Sequence, residues 1–324
     1  MRLVQFLEEA LRRRVALVDG DKLIPLHGFD SVYRLALNAI DTRQPMRQVI
    51  EQNLSKDAID YSDEVMFLPA FDHPEEQARC LVSGTGLTHR KSAQTRNSMH
   101  TGAQTVTDSM RMYEWGVEGG RPAAGAIGAQ PEWFYKGSGF ILRAHNQRLH
   151  VPSFADDGGD EGEIAGCYLI DFDGAPRRVG MAVGNEFSDH VMERKNYLYL
   201  APSKLRQCAL GPELVIDPDF GDVKGLARVE RNGQEIWRKE LATGEDNMCH
   251  SLRNMEHHHF KYAAHRQPGD VHVHFFGAGA FSFGEVTLQD GDVMEVSFEG
   301  FGRPLRNDLR IDRGPVSLIE ALPV

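Results

Sequence analysis

The chain has 324 residues, 41% of them hydrophobic and 26% charged, which is the make-up of a globular protein. That length can bury a large core without disulfides or structural metals, in one large domain or two smaller ones. The formal net charge of -11 argues against a nucleic-acid partner, which normally needs a basic surface, but leaves room for small anionic substrates held by local cations.

The first residues, MRLVQFLEEALRRR, place acidic residues where a signal peptide needs an apolar run, and no segment approaches the roughly 20 apolar residues of a membrane span. Cys80, Cys167, Cys208 and Cys249 lie far apart in apolar stretches, with no Cys-x-x-Cys, and read as reduced core residues. The expectation is a cytoplasmic protein with no membrane partner.

Residues 1–75 read as a small amino-terminal α+β domain. RRVALVDGDKLIPL is a hairpin around Asp19-Gly20-Asp21; SVYRLALNAI and the polar stretch after it have helical spacing; FLPAFDHPEE, with two prolines, is a connector. Residues 76–324 then form a β-rich unit. ARCLVSGTG is a strand entering a glycine turn. The irregular 90–130 segment is a candidate lid or, equally, a surface insertion. EIAGCYLIDFDGAPRRVGMAVG gives two strands about Asp173-Gly174, and GLARVERNGQEIWRKE a hairpin about Asn232-Gly233. MCHSLRNMEHHHFKYAAH reads as helix, while GDVHVHFFGAGAFSFGEV and GDVMEVSFEGFGRPLRN read as alternating strands. Hairpin connections predict an α+β, β-rich fold rather than a doubly wound parallel sheet.

The strongest chemical signal is DDGGDEGEIAGCYLI. Glu161 and Glu163 are two apart at the mouth of a strand, so their side chains share one face. Burying either without a partner costs several kcal/mol, roughly, and a hard divalent cation with oxygen ligands removes the conflict. Glu186, ending the next apolar strand in VGNEFSDH, offers a third carboxylate. All-oxygen ligation favours Mg²⁺, Mn²⁺ or Ca²⁺ over Zn²⁺; the bland alternative is a solvated acidic strand end. Lys204, before the Gly211-Pro212 break, is a candidate to bind a carboxylate or move a proton, or else a surface lysine. His89, ending the turn GTGLTHR, is a candidate base or an ordinary loop histidine. The run Glu256-His257-His258-His259 reads as a solvated helix face; His272 and His274 share a strand face, as ligands or as core. No G-x-S-x-G, P-loop or H-E-x-x-H is present.

The order of these signals carries more than any one of them. A glycine turn ending in histidine is followed by FYKGSG, the E-x-E strand, GNEFSDH, SKLRQCALGPEL, Pro-Gly-Asp-Val and a final Glu-Gly-x-Gly-x-x-x-Asn. Over about residues 76–310 the series resembles the fumarylacetoacetate hydrolase superfamily, and within it the AraD1-like subgroup encoded with pentose catabolism. The resemblance implies a fumarylacetoacetase-type β-roll that binds Mg²⁺, with Glu161, Glu163 and Glu186 as ligands; Glu186 stands where the family has an aspartate. It implies catalytic roles for Lys204 and His89. It further implies substrate contacts from Gly86, Lys136, Ser138, Lys204 and Ser282, and a homodimer. The glutamate that partners the histidine in hydrolytic members is Ser92 here, and the family's Gly-Thr-Pro segment is GAGAFSFG. The expected activity is therefore metal-dependent dehydration of a 2-oxo sugar acid, 2-keto-3-deoxypentonate to 2-oxoglutarate semialdehyde. The alternatives are a C–C bond hydrolase of an acylpyruvate or diketo sugar acid, and a non-catalytic sugar-acid binding protein.

Overall fold

The computed structural model describes residues 1–90, 93–94 and 107–324. Turn chemistry sets its topology. Gly20-Asp21 joins Arg13–Asp19 to Lys22–Pro25, with Asp19 opposite Lys22. Asn232 and Gly233, at φ +52° and +75°, join Val223–Arg231 to Gln234–Thr243; both left-handed residues suit the tight turn whose twist matches its strands. Asp173-Gly174 connects Gly162–Ile170 to Pro176–Asn185.

Among the described residues these hairpins assemble two sheets, of twelve and five strands. From one edge, the main path of the larger sheet runs Ile59–Asp60, Lys22–Pro25, Arg13–Asp19, Arg2–Leu7, Cys208–Val215. It continues through Pro176–Asn185, Gly162–Ile170, Val271–Phe275, Cys80–Gly86 and Glu132–Ser138. The strands of the leading region thus extend the large sheet, through antiparallel pairing of Arg2–Leu7 with Cys208–Val215. The smaller sheet contains the Asn232-Gly233 hairpin, Val293–Phe298, Leu305–Ile311 and Leu149–Val151.

Apolar packing explains the layering. One core joins the facing sheets through Ile164, Tyr168, Val183, Val229, Val296 and Leu309. A second lies beneath the helix Val32–Thr42, whose Ser31 side chain caps it and whose Val32, Leu35, Ala36 and Ala39 point inward at helical spacing. Every residue of Gly162–Ile170 is buried, as a strand covered on both faces requires. All four cysteines are free and buried. No helix among the described residues is long and apolar enough to cross a membrane.

Two expectations are corrected. The strand in GDVHVHFFGAGAFSFGEV is confined to Val271–Phe275 and is buried at every residue rather than alternating. It lies between Gly162–Ile170 and a parallel Cys80–Gly86, and its continuation leaves the sheet at Gly277, φ +98°. The histidine run is not a solvated face. On the helix Leu252–Phe260, Leu252, Met255 and His259 share the inward stripe, and His258 is buried beside them. His259 Nδ1 accepts from the Trp133 indole at 3.1 Å, and its Nε2 meets His272 Nδ1 at 2.9 Å. His274 lies between the Ser83 and Thr85 hydroxyls, at 2.8 and 2.7 Å.

Candidate active site and metal centre

The hairpin from Gly162–Ile170 to Pro176–Asn185 places the three acidic residues together. Gly162 pairs with Asn185, so Glu161 and Glu186 continue the ladder just beyond it, the Glu186 N–H donating to Glu161 O at 2.8 Å. Asn185 fixes both backbones: its Oδ1 accepts from Glu161 N at 3.1 Å and Phe187 N at 3.2 Å. One oxygen from each of Glu161, Glu163 and Glu186 falls within a 4.8 Å cluster, and all three residues are buried. Asp189 stands apart, capping the helix His190–Lys195 through Met192 N and pairing with Arg206.

Two buried lysines brace the cluster. Lys204 Nζ donates at 2.5 Å to both Glu161 Oε1 and Glu186 Oε2, and lies 4.7 Å from the Phe134 ring centre. Lys136 donates to Glu186 Oε1 and to the carbonyls of Phe187 and Lys204, each at 3.0 Å, so all three of its N–H groups are engaged. A β-bulge leaves Lys136 without a strand partner between Tyr135 and Gly137, which re-aims its side chain. Its place is beneath Glu186.

The carboxylates differ. Burial works to raise the Glu161 carboxyl, but Lys204 and the His190 hydrogen bond outweigh it and hold the group well below the usual range. Burial, with Glu186 and Glu161 as like-charged neighbours, holds Glu163 well above that range. Glu186 is raised by burial and by Glu161, against the pull of its two lysines. Glu163 has one hydrogen bond among the described residues, from Gly277 N at 2.7 Å. Three buried, converging oxygen donors fit a hard divalent cation.

The other expected residues divide. His89 is buried, between Thr88 Oγ1 at 2.9 Å and Thr243 Oγ1 at 3.2 Å, and burial lowers it to about 4. Thr88 Oγ1 also donates to Phe276 O, next to the Gly277 that holds Glu163. Gly86 ends its strand opposite Glu132, so close that a Cβ there would lie 1.9 Å from Glu132 Oε1. Ser138 closes the same strand pair opposite Leu81, half-buried. Ser282 is buried and bonded to Asp160 through its hydroxyl and its N–H, so it anchors the loop leading into Glu161. Ser92 and much of the first half of the 90–130 segment lie outside the described residues.

Sequence reasoning missed Glu132, His190, Asn185 and Gly277. Glu132 shares a strand face with Phe134, beside Lys204, and accepts from Tyr197 Oη at 2.8 Å. The alternation E-W-F-Y-K held that signal. Asn185 and His190 lay within the GNEFSDH motif itself.

Likeness to solved structures follows this geometry. A 2-keto-3-deoxy-D-arabinonate dehydratase in its apo form superposes with a TM-score of 0.70 at 18% identity, covering 97% of this chain and all of that one. The chain has the fold of that dehydratase. The expected β-rich α+β roll is borne out. The same dehydratase complexed with magnesium and 2,5-dioxopentanoate also scores 0.70, at 16% identity over 97% of this chain and 100% of that chain. A 5-carboxymethyl-2-hydroxymuconate delta-isomerase from Mycobacterium smegmatis scores 0.59 at 19% identity, over 96% and 100% of the two chains. By sequence, a probable 2-keto-3-deoxyxylonate dehydratase of Haloferax volcanii is 30% identical over 129 residues. That match spans 38% of this chain and 43% of the relative, less than half of either. No family model matches.

Proposed function

We propose that the chain is a metal-dependent hydro-lyase that removes water from a 2-keto-3-deoxypentonate to give 2-oxoglutarate semialdehyde. The observation that carries the reading is the buried triad Glu161, Glu163 and Glu186, braced by two lysines, in a fold shared with sugar-acid dehydratases. Glu161, Glu163 and Glu186 would hold Mg²⁺, or Mn²⁺ or Ca²⁺ in its place. The ion supplies Lewis-acid polarisation of a 2-oxo carboxylate, which acidifies the protons on carbon 3.

The chain's residues supply the rest. Lys204 presents an ammonium at the carboxylate cluster, where it can orient an anionic substrate or protonate the departing carbon-4 hydroxyl. Glu132, on the strand face that also carries Phe134, is the carboxylate we assign to taking the carbon-3 proton. Loss of that proton and of the hydroxyl as water leaves a carbon 3–carbon 4 double bond. Moving a proton from carbon 5 to carbon 3 then gives a terminal enol, which becomes the aldehyde. His89, held between two threonines, positions the Thr88–Phe276–Gly277 turn in this reading.

The test is to incubate the protein and Mg²⁺ with D- and L-2-keto-3-deoxypentonates and identify products. Semialdehyde is expected from one isomer. Pyruvate would replace dehydration with carbon–carbon cleavage, and unchanged substrate from both would defeat the proposal.

A further inference from the structure

His190 opens the helix His190–Lys195, behind the carboxylate cluster, and is almost wholly buried. Its Nε2 lies 3.0 Å from Glu161 Oε1, the oxygen that Lys204 also reaches. The ring stacks on Phe281 at 5.1 Å between centres, 25° from parallel, and packs against Phe283 at 5.0 Å. Its other nitrogen, Nδ1, is buried with no hydrogen-bond partner among the described residues. Gly159 covers that edge so closely that a Cβ there would lie 2.1 Å from Nδ1. The imidazole is thus clamped by two aromatic rings and a glycine, with one nitrogen committed to one carboxylate oxygen.

Resting on the proposed metal reading, we infer that His190 is a positioning residue for the metal centre. It pins Glu161 Oε1 so that Oε2, which takes no hydrogen bond among the described residues, is presented to the cation. Chemistry favours this over plain packing. Nε2 bears hydrogen in both the doubly protonated ring and the neutral tautomer suited to a carboxylate acceptor, so the N–H donates to Glu161 in either state. Two donors on one oxygen fix the carboxylate plane, which Lys204 alone, on a flexible stem, does not. Such outer contacts to a ligand typically set about 10–100-fold in metal affinity.

The experiment is a Mn²⁺ titration of the full chain, with free Mn²⁺ read by electron paramagnetic resonance and no substrate present. Circular dichroism of each variant checks the fold. His190→Gln carries an amide N–H about where Nε2 stands, and should bind Mn²⁺ within about threefold of the wild type. His190→Asn places its amide about where Nδ1 stands, out of reach of Glu161, and should bind about 10–100-fold more weakly, as should His190→Ala. The Gln/Asn contrast is the part that packing alone would not produce. Equal Mn²⁺ affinity in the Gln and Asn variants, or wild-type affinity in the Ala variant, overturns the inference while leaving the metal site standing. A wild-type chain that leaves Mn²⁺ free overturns the metal reading and this inference with it.

Discussion

Replacing Lys136 with Met keeps most of the buried stem but removes the ammonium. Glu186 then loses the partner on its Oε1, keeping Ser188 Oγ there at 3.0 Å and Lys204 on Oε2, and the carbonyls of Phe187 and Lys204 lose a donor. Removing one member of a buried ion pair costs about 3–5 kcal/mol, because the remaining charge is stranded away from water. At roughly 2–4 °C per kcal/mol, a little less for a longer chain, the melting temperature should fall on the order of 10 °C. A substrate-contacting lysine would behave differently, with stability nearly unchanged and KM raised. The assay is thermal unfolding in chelator, so that bound metal does not mask the effect. The double variant Lys136→Met/Glu186→Gln removes both charges and should recover about 2 kcal/mol relative to Lys136→Met. A Lys136→Met protein melting within 2 °C of the wild type would refute the assignment of Lys136 as an internal brace.

Glu163→Gln should leave the chelated protein folded but abolish the rise in melting temperature on adding Mg²⁺; an unchanged Mg²⁺ response would remove Glu163 from the ligand set. Gly86→Ala puts a Cβ against the Glu132 carboxylate, the movable end of a side chain, so turnover should drop at least tenfold with little loss of stability, and a fully active variant would count against Glu132 as the base. Stability should also depend on His272 and His274, which burial lowers to about 3. With folded values below the unfolded 6.5, each contributes stability fully present above about pH 6.5 and lost below it at about 1.4 kcal/mol per pH unit, until the pH nears 3. Melting curves from pH 7.5 to 5 should show this slope, and a His274→Gln variant should show a shallower one; equal slopes would argue against the neutral buried imidazole.

The hairpins were legible because Gly20-Asp21 and Asn232-Gly233 are local devices: backbone conformation at two residues decides the turn. Glu161, Glu163 and Glu186 were legible as a group because their positions at the ends of successive strands follow from one hairpin register. What failed was long-range. Whether the histidines of the helix Leu252–Phe260 face water depends on the strand Val271–Phe275 passing beneath them, and no local spacing reveals that. That Lys136 and Lys204 meet at the carboxylates was not legible either, because a bulge and a short helix bring their ammonium groups there from separate parts of the chain. Glu132 hid in a strand rich in aromatic residues, because its meaning comes from Phe134 lying beside Lys204.

The charges themselves say why such a costly cluster persists. A core needs no buried carboxylates, and well-packed apolar residues are often as stable as buried ion pairs, or more so. Lys204 pairs with Glu161 and Glu186, and Lys136 with Glu186 again. Glu163 accepts one hydrogen bond among the described residues, from the Gly277 N–H, and has two like-charged neighbours, with the Lys204 charge acting against them. A fold selected only for stability would place an apolar side chain at that position. An acid there, with its carboxyl held well above the usual range by burial and those neighbours, would be relieved by a divalent cation that the three residues would hold, while the two lysines reduce the repulsion.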